Sequence, residues 1–78
     1  MNNKIIGHMK KRGFRYQKDI QGHYFDRGNI KLSVMACGPV WNCFCNKMNN
    51  GQYMLTDKLM NAITDEIVYN WLDAHSML

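Results

Sequence analysis

From Ile30 to Cys37 the side chains alternate one for one, with Ile30, Leu32, Val34 and Ala36 set against Lys31, Ser33, Met35 and Cys37. A repeat of two is the period of a pleated strand, whose successive side chains leave opposite faces. The first set is wholly apolar and the second is mixed. That predicts a strand in a sheet with one face covered and the other partly wet.

The flanking segments supply partners for this strand. Phe14 to Lys18 alternates aromatic and polar residues. A turn around Ile20-Gln21-Gly22 leads to His23-Tyr24-Phe25-Asp26, and Arg27-Gly28-Asn29 is a second turn signal. Gly38-Pro39 breaks the pattern after the central strand, and Val40 to Lys47 reads as the next one. Its two faces, Val40, Asn42, Phe44 and Asn46 against Trp41, Cys43, Cys45 and Lys47, do not say which is buried. Asn49-Asn50-Gly51 is a hairpin signal, because Asn-Gly tolerates positive φ at both turn positions, and it introduces a short strand over Gln52–Leu55.

Helices bracket the strands. Asn2 or Asn3 can cap the first, in which Ile5, Ile6 and Met9 share a face. Lys10-Lys11-Arg12 occupies its last turn and Gly13 suits the position just past it. In the C-terminal third Met60, Ile63, Ile67, Trp71 and Ala74 recur at helical spacing, with Leu59, Val68 and Leu72 widening the stripe. Thr56 can cap this helix, and Thr64 can cap a later start followed by Asp65 and Glu66. The expected fold is therefore α+β in one domain spanning residues 1–78: a helix, an antiparallel meander of three or four strands, and a C-terminal helix. Both helices are expected on one sheet face.

Composition narrows the functional classes. Hydrophobic residues at 46% with charged residues at 21% argue for a folded chain. No apolar run approaches the ~20 residues a bilayer needs, and residues 1–10 contain no continuous apolar region of the kind a secretory signal carries. A cytoplasmic location is expected, with no membrane partner. Three cysteines, Cys37, Cys43 and Cys45, make an odd set that suits reduced thiols better than a disulfide framework. Cys43-x-Cys45 lacks the usual zinc-knuckle spacing. No metal is expected, and no glycine loop or nucleophile elbow implies a cofactor.

Charge is uneven. Residues 1–31 hold eight Lys/Arg against two acids, a net of +6, and residues 32–78 hold two against four, a net of −2. Lys10, Lys11, Arg12, Arg15, Tyr16, Lys18, Tyr24, Arg27 and Lys31 are the candidate binding residues: cations for phosphates or an acidic surface, and rings for stacking on bases. The alternative is a solvated face that keeps the chain soluble. These side chains are expected to gather along one flank.

Lys10-Lys11-Arg12-Gly13-Phe14 followed by Gly22-His23-Tyr24 resembles the HicA toxin family over residues 5–36. The resemblance implies a double-stranded-RNA-binding-like fold and cleavage of RNA, with His23 at the catalytic position. A surface or strand-pairing histidine is the competing reading.

The leading expectation is a small non-enzymatic binding protein. Its size and its richness in Met and Asn have the style of phage or mobile-element accessory proteins that inhibit a host defence complex, anti-CRISPR proteins among them. The expected partner is a host protein or ribonucleoprotein complex. A HicA-like ribonuclease and a plain nucleic-acid-binding module are the alternatives.

Overall fold

The structure, a computed structural model, describes residues 1–77. Asn2 stands in extended backbone and its side-chain oxygen accepts from the Ile5 amide at 3.1 Å, which opens α1 (Asn3–Lys11). Gly13, at φ 87°, turns the chain back after the helix. The Gly13 amide donates to the Lys10 carbonyl at 2.9 Å, and the Phe14 amide donates to that of Met9 at 3.1 Å. This reversal folds Phe14 into the core.

Five strands follow: β1 (Arg15–Lys18), β2 (Gly22–Arg27), β3 (Ile30–Cys37), β4 (Val40–Asn49) and β5 (Gln52–Ala62). They pair antiparallel in chain order. The Asn50-Gly51 turn has both residues at positive φ, 53° and 83°, as its sequence requires. Then α2 (Asp65–Ser76) begins at Thr64, whose hydroxyl accepts from the Ile67 amide at 3.2 Å, with Asp65 and Glu66 in the first turn.

The expectation of three or four strands undercounts the sheet. Residues 56–62 extend β5 and do not begin the helix, so Leu59 and Met60 belong to the strand and Thr56 caps nothing. Pairing with β4 explains this. Cys43 lies opposite Leu59, and Trp41 opposite Ala62, across two irregularities in register. At one of them the Thr56 hydroxyl donates to the Cys45 carbonyl at 3.2 Å. At the other, Asn61 takes a positive φ of 61° while its amide donates to the Asn42 side chain at 2.9 Å. Helical spacing alone could not register these long-range partners.

One face of the sheet is covered. Phe25, Leu32, Val34, Cys43 and Cys45 point to it and pack against Ile5 and Met9 of α1 and Val68 and Leu72 of α2. The expected placement of both helices on one side is what the structure shows, and the undetermined face of β4 is settled as the Trp41–Cys43–Cys45 side. Burial holds the Cys43 thiol protonated, with its pKa pushed up to about 11.

Polar contacts fix the helices in place. The Arg27 guanidinium donates to the Arg12 carbonyl at 2.6 Å and to the Ser76 carbonyl at 3.0 Å, and lies 4.4 Å over the Phe14 ring. One strand residue thus caps the C-terminal ends of both helices, where backbone carbonyls lack partners and the dipole favours a cation. Asp73 of α2 meets His8 at 2.7 Å and Arg12 at 3.0 Å. His75 reaches Asp57 of β5 at 2.7 Å, and this contact is the main reason the Asp57 carboxyl sits below its ordinary pKa.

Arg27→Ala is expected to lower the unfolding free energy by about 2–3 kcal/mol, since hydrogen bonds from a charged donor are lost at two half-buried carbonyls. Arg27→Lys should restore only part, because an ammonium lacks the fork that spans both acceptors. Urea unfolding checks this; an unchanged midpoint for Arg27→Ala would contradict it.

Candidate binding surface

The strand pairing defines the second face of the sheet, away from the helices. Its central row runs Gln17, Tyr24, Ser33, Phe44, Lys58 from β1 to β5. The next row runs Arg15, Asp26, Lys31, Asn46, Leu55. Tyr24 and Phe44 are half-buried and Ser33 between them is only 9% exposed. With strands 4.7–4.9 Å apart, the backbones at Tyr24 and Phe44 stand about 9.5 Å from each other across the serine. Two partly exposed rings thus stand on either side of a buried serine. Tyr53, near the β4–β5 turn, is exposed and its ring lies 5.0 Å from the Lys31 ammonium.

Both acids on this side are engaged. Asp26 accepts from Arg15 at 2.8 Å. Asp19 accepts from the Gln21 and Gly22 amides and from the Tyr24 hydroxyl, which lies 3.0 Å away. The Gln21 amide foremost, then those other donors, holds the Asp19 carboxyl below its usual range. Lys31 and Lys58 are left facing outward without a carboxylate partner among the described residues.

The nine residues proposed from sequence do not form one patch. Arg15, Tyr24 and Lys31 lie on the bare face. Tyr16 and Lys18 lie on the helix side, where Lys10 stands 5.7 Å over the Tyr16 ring and Lys11 is exposed on α1. Arg12 and Arg27 are engaged in holding the helices. The expected single flank is thus divided by the sheet.

Sequence reasoning missed Ser33, Phe44, Tyr53 and Lys58. The signal for Phe44 was present in the alternation of β4, but each face of that strand carries one aromatic residue, so neither declared itself. Lys58 was hidden by reading its segment as helix.

His23 is on the helix side of β2, with Gly22 packed tightly enough on β3 that a Cβ there would run into the Val34 carbonyl oxygen. Tyr16 Oη lies 2.7 Å from His23 Nδ1, the two rings stack at 5.9 Å, and Trp41 is 5.7 Å away. Burial foremost, then the N-terminal ammonium and Lys18, hold the imidazole below its ordinary pKa, while Asp65 acts in the opposite sense. The ring is therefore neutral at pH 7, and its contact with Tyr16 Oη sets its orientation. His8 and His75 pair with Asp73 and Asp57, away from this corner. Cys37 is exposed on the bare face while Cys43 and Cys45 are buried on the other, so the three thiols do not converge. Among the described residues no helix is long and apolar enough to cross a membrane.

The chain matches no protein-family model, no curated protein and no solved structure.

A histidine whose folded pKa lies below its unfolded value binds fewer protons when folded, so His23 should weaken the fold as pH falls below about 6.5. Proton–nitrogen NMR of the imidazole should place the His23 midpoint below that value. A midpoint at or above it would contradict the buried, Tyr16-paired arrangement.

Proposed function

We propose that this protein is a small non-enzymatic binding protein that covers part of a partner with its bare sheet face. The observation that carries the reading is the row of Tyr24, Ser33 and Phe44 on the face away from the helices, with Lys31 and Lys58 beside it. A sheet face that merely met water would be mostly polar. This one presents aromatic and apolar side chains, including exposed Tyr53, Leu55 and Met48, alongside cations. Aromatic residues ringed by polar ones are the usual make-up of an interface. The partner class is a host protein or ribonucleoprotein complex. The mode of action is that of a phage or mobile-element accessory protein, anti-CRISPR-like, which blocks a complex by occupying its surface.

A second reading has one specific observation in its favour. In the tautomer whose Nδ1–H donates to Tyr16 Oη at 2.7 Å, the neutral His23 imidazole leaves Nε2 free to take a proton from an RNA hydroxyl in the manner of a HicA-like ribonuclease. Growth arrest on expression, relieved by His23→Ala, would mark that activity.

Affinity capture with the tagged protein from its own cells separates the two. The binding reading expects one stoichiometric partner complex that survives His23→Ala and is lost on combining Phe44→Ala with Lys58→Glu. Capture that fails for the wild type, or that depends on His23 and not on Phe44, would contradict it.

A further inference from the structure

We propose that this chain pairs with a second copy of itself along the outer edge of β5, in a two-fold antiparallel register centred on Met54. The contact joins two sheets into one and is independent of the binding role proposed for the bare face.

The two edges of the sheet differ. β1, on one side, is four residues long and carries Arg15 and Lys18, the short and charged form that discourages further pairing. β5, on the other, runs for eleven residues, and its regular outer stretch Gln52–Leu55 contains no charge and no proline. Tyr53, Met54 and Leu55 are 42%, 51% and 54% exposed. An apolar edge of this kind is a template for another strand.

The hairpin fixes which backbone groups are on offer. Its two-residue turn makes Asn49 and Gln52 the closing hydrogen-bonded pair. The Met48 amide agrees with this phase, since it turns away from β5 and donates to the Asn29 carbonyl at 2.8 Å. By alternation the amide and carbonyl of Met54 turn to β4, while those of Tyr53 and Leu55 turn to the open edge. Setting Met54 opposite its own copy places Tyr53 of each chain against Leu55 of the other. Every outward amide and carbonyl of these residues then finds a partner.

The side chains suit the same register. Tyr53 lies opposite Met48 and Leu55 opposite Asn46, so both belong to the bare face, and a ring meets an aliphatic chain on each side of the axis. Met54 lies opposite Lys47 on the helix side, yet its exposure leaves no helix in the way. The two copies of Met54 meet at a close, non-hydrogen-bonded position. The register also keeps the bodies apart. Beyond Thr56 the second chain runs past the Asn50-Gly51 turn of the first, so the helices lie at opposite ends of the junction. The irregularity at Thr56 confines the pairing to the outer stretch. So short a contact is smaller than a standard interface and fits association at roughly 0.1 mM.

The test is sedimentation equilibrium of the wild-type chain from ~10 µM to ~1 mM, with Met54→Lys and Met54→Glu as variants. Met54 is exposed, so folding is not at risk, and circular dichroism checks both variants. Wild type should pass from monomer to dimer across the range. Each variant alone should associate at least about fivefold more weakly, because like charges meet on the axis. An equal mixture of the two should associate again, since the axis then carries opposite charges. Amide exchange at Tyr53 and Leu55 should slow as concentration rises, while Met54 stays protected by β4 throughout. A wild type that remains monomeric over the whole range, leaving its edge to a strand of some other protein, would overturn the proposal. So would a dimer untouched by either variant, or a mixture that associates no better than its components.

Discussion

The Arg27 guanidinium holds the C-terminal carbonyls of two helices, at Arg12 and Ser76 near opposite ends of the sequence, and the architecture is organised around that junction. Its donors satisfy Arg12 at the end of α1 and Ser76 at the end of α2, and its flat face rests on Phe14, the residue that returns the chain from α1 to the sheet. Because Arg27 projects from β2 on the same side as Phe25 and Leu32, both helices are drawn to one face. Asp73, shared by His8 and Arg12, locks the helices to one another there. In a chain this short the hydrophobic core is thin, and such charge-assisted contacts at half-buried helix ends matter more than they would in a larger domain.

A one-sided arrangement leaves five strands with a second face that no helix among the described residues covers. β4 and β5, ten and eleven residues long, form a hairpin whose outer end carries Met48, Tyr53, Met54 and Leu55 in exposed positions. Charges of both signs fall on both sides: Arg15, Lys31 and Lys58 share the bare face with Asp26, while the acids of α2 and Asp57 lie with the helices beside Lys10, Arg12, Lys18 and Arg27. Fold and candidate site are thus two consequences of one packing choice.

What was legible in the sequence was local. Asn2, Gly13, Asn50-Gly51 and Thr64 each act within a few residues of themselves, and each does what its chemistry predicts. The alternation at Ile30–Ala36 identified the central strand for the same reason. The length of β5 was not legible, because Met60, Ile63 and Ile67 fall at helical spacing while the interactions that hold residues 56–62 in the sheet come from Cys43, Cys45 and Asn42 on another strand. Half of the site was visible in Arg15, Tyr24 and Lys31. The grouping was not, since a charge count along the chain cannot tell that Arg15 and Tyr16, being neighbours on a strand, face opposite sides. Phe44 and Lys58 entered only when the register of β4 against β3 and β5 was known.

Tyr24, Phe44 and Tyr53 on one face of the sheet reach solvent, while the opposite face is sealed by both helices. A soluble paramagnetic cosolute measures that directly through the relaxation of aromatic ring protons. Phe44, Tyr24 and Tyr53 should relax strongly with added cosolute, while Phe25 and Phe14 should be shielded. Shielding of Phe44 to the level of Phe25 in the isolated, dilute protein would show that face to be covered and would contradict the account.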